Sequence, residues 1–466
     1  MSSMRPPSEM VILVLLALST ASALHAVAST RPLITPRGVV SRARFSLLSE
    51  AAADDANKDD DTADTTDQTM LFASLRARSL QIEEAVAARW KSAECTSKIS
   101  ISLEDWVRRI AVDWPRCAIG GASGALYYAD LSTGDILAKS MEAHPGRGGS
   151  DMDMQLLFGQ FDGGGLTAVA IAGDRVVSAG RDGGASAWRI SQPNAEKPEE
   201  LVPIAELTTG GAIVSAICLS GDDASCGAVW LASLDGNVRR FEQSAATGDL
   251  FTCTLTIKVA GPALCLALCE ESNLLAVGTA DGGVQCFAAT ADEAVERGVW
   301  RPLAFDGSKG KRGAATRSIE IAEVNGRRCI VVGGSDGALH LRYITDSGGD
   351  GDVFDDTLPG SPLLPPHGGQ VVSLASLQPS TSTSLLVSGA HDGTLRVWDL
   401  AADGSGGDGV PGEVGVKALF GLGGYKVWLG SVWSDGRRIV SDGRDNAIVT
   451  HDFSGEAEEA VDEASS

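Results

Sequence analysis

The chain has 466 residues, a formal net charge of −23 and nine cysteines. So acidic a body gains nothing by neutralising phosphates, which removes duplex nucleic acid from the expected direct ligands. The odd cysteine count, without framework spacing, removes a disulfide-stapled scaffold as well.

Residues 1–23, MSSMRPPSEMVILVLLALSTASA, set an apolar run between Arg5 and Ala21-Ser22-Ala23. This reads as a secretory signal peptide cleaved after Ala23. Its apolar core is shorter than the roughly 20 residues a membrane span needs, and no other segment comes close. Residues 24–49 carry Arg31, Arg37, Arg42 and Arg44 among Ser and Thr, with no acid before Glu50. That is the composition of a transit peptide. Signal followed by transit resembles the bipartite presequences of algae with complex plastids, although Leu24 stands where those have Phe. The resemblance implies the plastid stroma, reached through the secretory pathway. The alternative is a secreted or endomembrane-lumen protein. Cysteines placed mostly inside predicted strands suit a reducing compartment.

Residues 50–68 hold eight acids and one Lys, and are expected to be a disordered linker. An amphipathic helix follows over 69–95, with Leu71, Leu75, Ile82, Val86 and Trp90 on one face. It either docks on the rest of its own chain or binds a partner. Residues 97–103, SKISISL, alternate Ile99, Ile101 and Leu103 with serines, as a half-buried strand does.

From there to residue 454 one pattern recurs seven times. Residues 385–400, LLVSGAHDGTLRVWDL, show it best: an apolar strand, an Asp-Gly turn that supplies φ > 0, and a second strand. The turn residues are Ser123, Asp182, Asp235, Asp281, Asp336, Asp392 and Asp445. Six positions beyond them stand Trp188, Phe241, Phe287 and Trp398, replaced by Ala129, Arg342 and His451 in copies one, five and seven. A further apolar strand precedes every hairpin. Repeats of this size mean a radial or solenoid array.

The repeats resemble those of the WD-repeat (WD40) family. The resemblance implies an all-β fold, a seven-bladed propeller over 97–454, preceded by the short helix and followed by an acidic disordered tail over 455–466. It also implies a structural tetrad in blade six: His367, Ser388, Asp392 and Trp398. Such a buried polar chain is tolerated when every member is hydrogen-bonded. No other blade keeps the whole set. Ring closure needs an outer strand for blade seven, and 97–103 is the expected donor, since an unsealed ring would leave sheet edges open. In this family the residue before the turn commonly points to the docking surface. Here these are Ala122, Arg181, Leu234, Ala280, Ser335, His391 and Arg444. Arg181, His391 and Arg444 form a basic arc around blades six, seven, one and two, a candidate partner-binding face together with Leu234.

Catalytic motifs are missing: no Gly-x-Ser-x-Gly elbow, His-Glu-x-x-His helix or phosphate-cradling Gly-rich loop occurs. The basic stretch SKGKRG at 308–313 reads as a solvated loop, and the Asp-rich stretch 346–356 as a mobile one. No cofactor and no metal are expected. The expected function is a non-catalytic scaffold for other proteins, including acidic or phosphorylated segments. The alternatives are a propeller enzyme working at the central channel and a secreted or endomembrane binding protein.

Overall fold

The computed structural model describes residues 64–455 apart from 146–164, 192–197, 222–226, 244–250, 291–292, 303–313, 346–352, 356–359, 402–415, 426–428 and 445. The presequence, the acidic linker up to residue 63, the stretch 308–313, the tail after residue 455 and the turn residue Asp445 lie outside the described residues. Described side chains also exclude those of residues 64–72, 443 and 444.

Seven four-stranded antiparallel sheets follow one helix. Blades one to six take their strands in chain order from the inside outward. Blade one, for example, is Val107–Asp113, Arg116–Gly121, Leu126–Asp130 and Asp135–Ser140. Blade six is Val371–Ser380, Thr383–Ala390, Thr394–Asp399 and Lys417–Leu422. Second strands read as unbroken apolar runs because both of their faces are covered; all eight residues of Thr383–Ala390 are buried. Outer strands alternate instead, as in Phe251–Lys258, where only Phe251 and Ile257 are buried.

Apolar cores lie between blades rather than within them. One cluster joins Ile171 and Trp188 of blade two to Leu126 and Tyr128 of blade one. The next joins blades two and three, and the series continues around the ring. It ends with Val440 and Ile448 of blade seven against Ile110 and Ile119 of blade one. Each sheet therefore contributes to two cores.

Blade seven consists of Val432–Ser434, Arg438–Arg444, Ala447–Asp452 and, as its outer strand, Thr96–Ser102. The register pairs Ile99 with Val449 and Ile101 with Ile448. Ile101 faces the core, whereas Ile99 is exposed: a register shift between the two breaks the alternation that would have placed them on one face. The ring is thus sealed by the strand read from the sequence as 97–103.

The helix spans Asp64–Ser92. It starts five residues before the periodicity suggests, inside the acidic run, and stops three residues earlier. Its last turns dock on blades six and seven: Val86, Ala87 and Trp90 are buried, whereas Leu75 and Leu80 are exposed. Trp90 stacks on Phe453 with ring centroids 3.9 Å apart, and its indole N–H donates to the Gly436 carbonyl at 2.8 Å. In the Asp-rich stretch read as a loop, Val353 and Phe354 are buried beside Trp300 and Ile344. Two apolar residues suffice to anchor the described part of it.

Candidate functional site at the channel mouth

The turn residues hold one role throughout the described ladder. The side chain accepts the backbone N–H two positions on: Gly184 to Asp182 at 2.9 Å, Asn237 to Asp235 at 3.0 Å, Gly283 to Asp281 at 3.2 Å, Ala338 to Asp336 at 3.1 Å and Thr394 to Asp392 at 3.1 Å. Ser123 does the same for Ala125 at 3.3 Å. This is the Asx-type turn, and it explains why Asp recurs even where nothing else of the tetrad does.

In blade six the four expected residues meet. His367 Nε2 lies 2.8 Å from Ser388 Oγ, which also accepts the Trp398 indole N–H at 2.9 Å. His367 Nδ1 lies 3.3 Å from Asp392 Oδ2, and Asp392 further accepts from the Gly368 N–H at 2.8 Å. Burial, then the Arg396 charge, lowers the His367 pKa to about 4, so the ring is neutral at pH 7. Because the Asp392 carboxylate can only accept, the ring proton is assigned to Nδ1, which leaves Nε2 to accept from the Ser388 hydroxyl.

The expectation of a single tetrad is corrected: blade two holds a second. His144 Nδ1 lies 3.2 Å from Asp182 Oδ1, His144 Nε2 lies 2.9 Å from Ser178 Oγ, and the Trp188 indole donates to Ser178 at 2.8 Å. His144 stands 38 residues before its Asp, whereas His367 stands 25 before Asp392. The stretch 146–164 intervenes, so spacing conceals the match. Two further blades carry altered versions. In blade seven Tyr425 replaces the ring, its hydroxyl lying 3.0 Å from Ser441 Oγ and 2.8 Å from Nε2 of His451, which occupies the indole position. The other ring nitrogen of His451 lies 2.6 Å from Ser97 on the closing strand. In blade one the acid precedes the inner strand: Asp105 accepts from the Ser123 hydroxyl at 2.6 Å.

The residues before the turns share one level. Their backbone N–H groups donate to the residue just before the inner strand of the same blade: Ala122 to Trp106 at 2.8 Å, Arg181 to Gly165 at 3.0 Å, Leu234 to Ile213 at 2.9 Å, Ala280 to Pro262 at 3.0 Å, Ser335 to Ala315 at 2.9 Å and His391 to Gln370 at 2.9 Å. They rim the mouth of the central channel, with Arg181, Leu234 and His391 half-buried. The Arg444 side chain is outside the described set.

The mouth is more basic than those positions suggest. Each inner strand of blades one to six has a bulge after its first residue, for example between Val107 and Arg109 and between Thr316 and Ser318. A bulge re-aims the inserted side chain. Arg108 and Arg317 occupy two of these positions, and Arg109 and Arg317 line a channel cavity of about 140 Å³. Arg108 sits close enough to Arg181 and Arg109 to be repelled by both, and burial with that repulsion lowers its pKa to about 10. It fills the gap that Ala122 leaves in the arc. Burial, then the charges of Arg109 and Arg317, lowers the His391 pKa to about 4. At neutral pH the arc therefore draws its charge from arginines, and His391 adds none.

One acid faces them. Three positions before the turn stand Gly120, Ala179, Ala232, Gly278, Gly333 and Gly389, then Asp442 in blade seven. Small residues are required because this position packs on the neighbouring blade; a Cβ at Gly120 would lie 2.7 Å from Leu166 Cβ. Asp442 is fully buried. Its Oδ1 accepts from the Gly430 and Ser431 N–H groups at 2.7 and 3.1 Å. Burial raises its pKa to about 7 against the pull of those bonds and of Arg109. Arg109 is held by carbonyls, its Nε donating to Thr167 at 3.0 Å and its Nη1 to Arg108 at 2.8 Å. Aligning the copies on the turn residue would have exposed Asp442; nothing in the sequence signals that Arg109 and Arg317 converge.

No group of three or more His, Cys, Asp or Glu side chains placed to hold a metal occurs among the described residues. No described helix is long and apolar enough to cross a membrane.

Residues 361–399 match the family model described as WD domain, G-beta repeat, which covers the blade-six hairpin and its tetrad. No curated protein sequence matches the chain. Among solved structures, the computationally designed Ika8 protein is 17% identical, over 76% of this chain and 99% of that one, with a TM-score of 0.44.

Proposed function

We propose that this chain, a seven-bladed WD-repeat β-propeller, is a non-catalytic scaffold that binds other proteins at its channel-mouth face, with acidic or phosphorylated segments as the preferred ligands. The observation that carries the reading is the gathering of Arg108, Arg109, Arg181 and Arg317 on one face of a chain whose net charge is −23. Arginine pairs bidentately with carboxylate and phosphate and is enriched at binding hot spots. Blades that share cores make a rigid disc, while the rim residues are free to vary without loss of the fold.

The test is charge reversal at the rim. Arg181→Glu with Arg444→Glu leaves the melting transition in place and abolishes capture of the principal partner recovered by affinity purification. Capture that survives at physiological salt defeats the reading.

The place of action belongs to the same proposal. The composition of residues 1–49 supports delivery to a plastid stroma. A fluorescent fusion of residues 1–49 enters the plastid on this reading, while one of residues 1–23 stays in the secretory pathway. A shared destination removes the transit peptide.

A further inference from the structure

Arg317 has no described carboxylate to meet its charge. Burial lowers its pKa, opposed by the Cys265 sulfur and by no carboxylate. Its Nε is buried without a hydrogen-bond partner among the described residues, and so is Asp442 Oδ2. Arg109 is attracted by Asp442 and repelled, less strongly by each, by Arg317 and Arg181. Room for the Arg109 guanidinium depends on Gly430, where a Cβ would lie 2.8 Å from Nη1. The surrounding hydroxyls offer little competition for these donors. Thr167, Ser215, Ser318 and Ser373 all donate to backbone carbonyls around the ring, at 3.2, 2.6, 2.9 and 3.4 Å.

Holding like charges together in a partly desolvated channel destabilises a fold unless something returns the energy. An uncharged residue at 317 would remove the repulsion; the equivalent position is uncharged in four other blades, as Thr167, Ser215, Leu264 and Val372, and is Arg108 in blade one. The channel cavity that both arginines line is several times what one water requires. Guanidinium forks match the tetrahedral oxygens of a phosphoryl group.

We infer that the channel mouth is a seat for a single phosphoryl group, held by Arg109 and Arg317 from facing blades. The seat deepens the docking proposal by naming the group recognised, and rests on that proposal only for the case in which a partner segment carries the phosphoryl. The group itself is bound whether free or esterified to a serine.

Calorimetric titration separates these cases. The full folded chain is titrated with inorganic phosphate at ionic strength fixed by chloride, then with O-phosphoserine, with serine as the control. The expected result is one saturable site for phosphate, for O-phosphoserine or for both, and none for serine. Arg317→Gln weakens it about 10- to 100-fold, the equivalent of one charged hydrogen-bonded pair. In phosphate-free buffer the same variant melts at or above the wild-type temperature, because a repulsion has been removed. Binding of O-phosphoserine alone, lost in Arg317→Gln, assigns the seat to a carried phosphoryl. No binding of either probe, or binding unchanged in Arg317→Gln, overturns the seat. The rim variant Arg181→Glu with Arg444→Glu keeps the two proposals apart: phosphate bound at the seat by a protein whose partner capture ignores the rim sinks the docking face and leaves the seat standing.

Discussion

At residue scale, buried polar groups dominate what substitution will reveal. Asp392→Ala and Asp182→Ala each orphan a histidine Nδ1–H and a turn N–H, and each should cost about 1–3 kcal/mol in urea denaturation. Trp398→Ala removes a fully buried indole and should cost about 3–5 kcal/mol. Negligible changes at both Asp392 and Trp398 would deny blade six its network. Titration adds a second test. The Asp442 carboxyl is raised from 3.8 to about 7, so the folded state holds a proton that the unfolded state releases. Stability from this group is full below pH 4 and is lost as pH rises toward 7, about 4 kcal/mol in all. His367 and His391, lowered from 6.5 to about 4, act oppositely: their contribution is full above pH 6.5 and is lost as pH falls toward 4. Asp442→Asn should therefore gain on the wild type progressively between pH 4 and 7 and stay level above that. A pH-independent difference would mean an ordinary carboxyl. The blade-six tetrad was legible because its members stand at regular spacing; the His144 set was not, because an insertion separates the histidine from its strand.

At the scale of elements, the hairpins announced themselves through Asp-Gly turns and alternating apolar residues, and the closing strand through Ile99, Ile101 and Leu103. Bulges did not. An inserted residue looks like any other until the register is seen, and so Arg108 and Arg317 went unread as channel residues. The helix shows the opposite limit. Its apolar face left docking and partner binding both open; among the described residues the turns bearing Val86, Ala87 and Trp90 are buried, whereas Leu75 and Leu80 are exposed. Periodicity reports a face and is silent on how far the partner extends. Trp90→Ala removes the stack on Phe453 and the bond to Gly436, a loss of about 3 kcal/mol to docking. Limited proteolysis should then cleave the helix faster while the sheets resist. Unchanged cleavage would show that Trp90 does not hold it.

For the whole molecule, the count of copies gave the ring before any coordinate did, whereas the function of a propeller is written on its rim, where single side chains matter more than the pattern. Closure is the property that belongs to no single blade. A chain beginning at Glu104 lacks the outer strand of blade seven and exposes the edge of Ala447–Asp452. Compared with a chain beginning at Ser97, it should unfold less cooperatively and self-associate through that edge. Equal melting and equal mass in solution would show that the seal is dispensable.

The same seal has a temporal meaning. Ser97 and His451 bond across 354 residues, and Trp90 reaches Gly436 across 346. Contacts so distant in sequence are the last that a growing polypeptide can make, since it emerges from the ribosome at about 5–20 residues per second with its first strand unpaired. Until Gly436 and His451 have been made, the helix and the first strand lack the surface that they bind in the finished ring. Its final hairpin is what ends that wait, so a nascent chain stalled short of residue 447 should be held by chaperones, and one released past residue 453 should not.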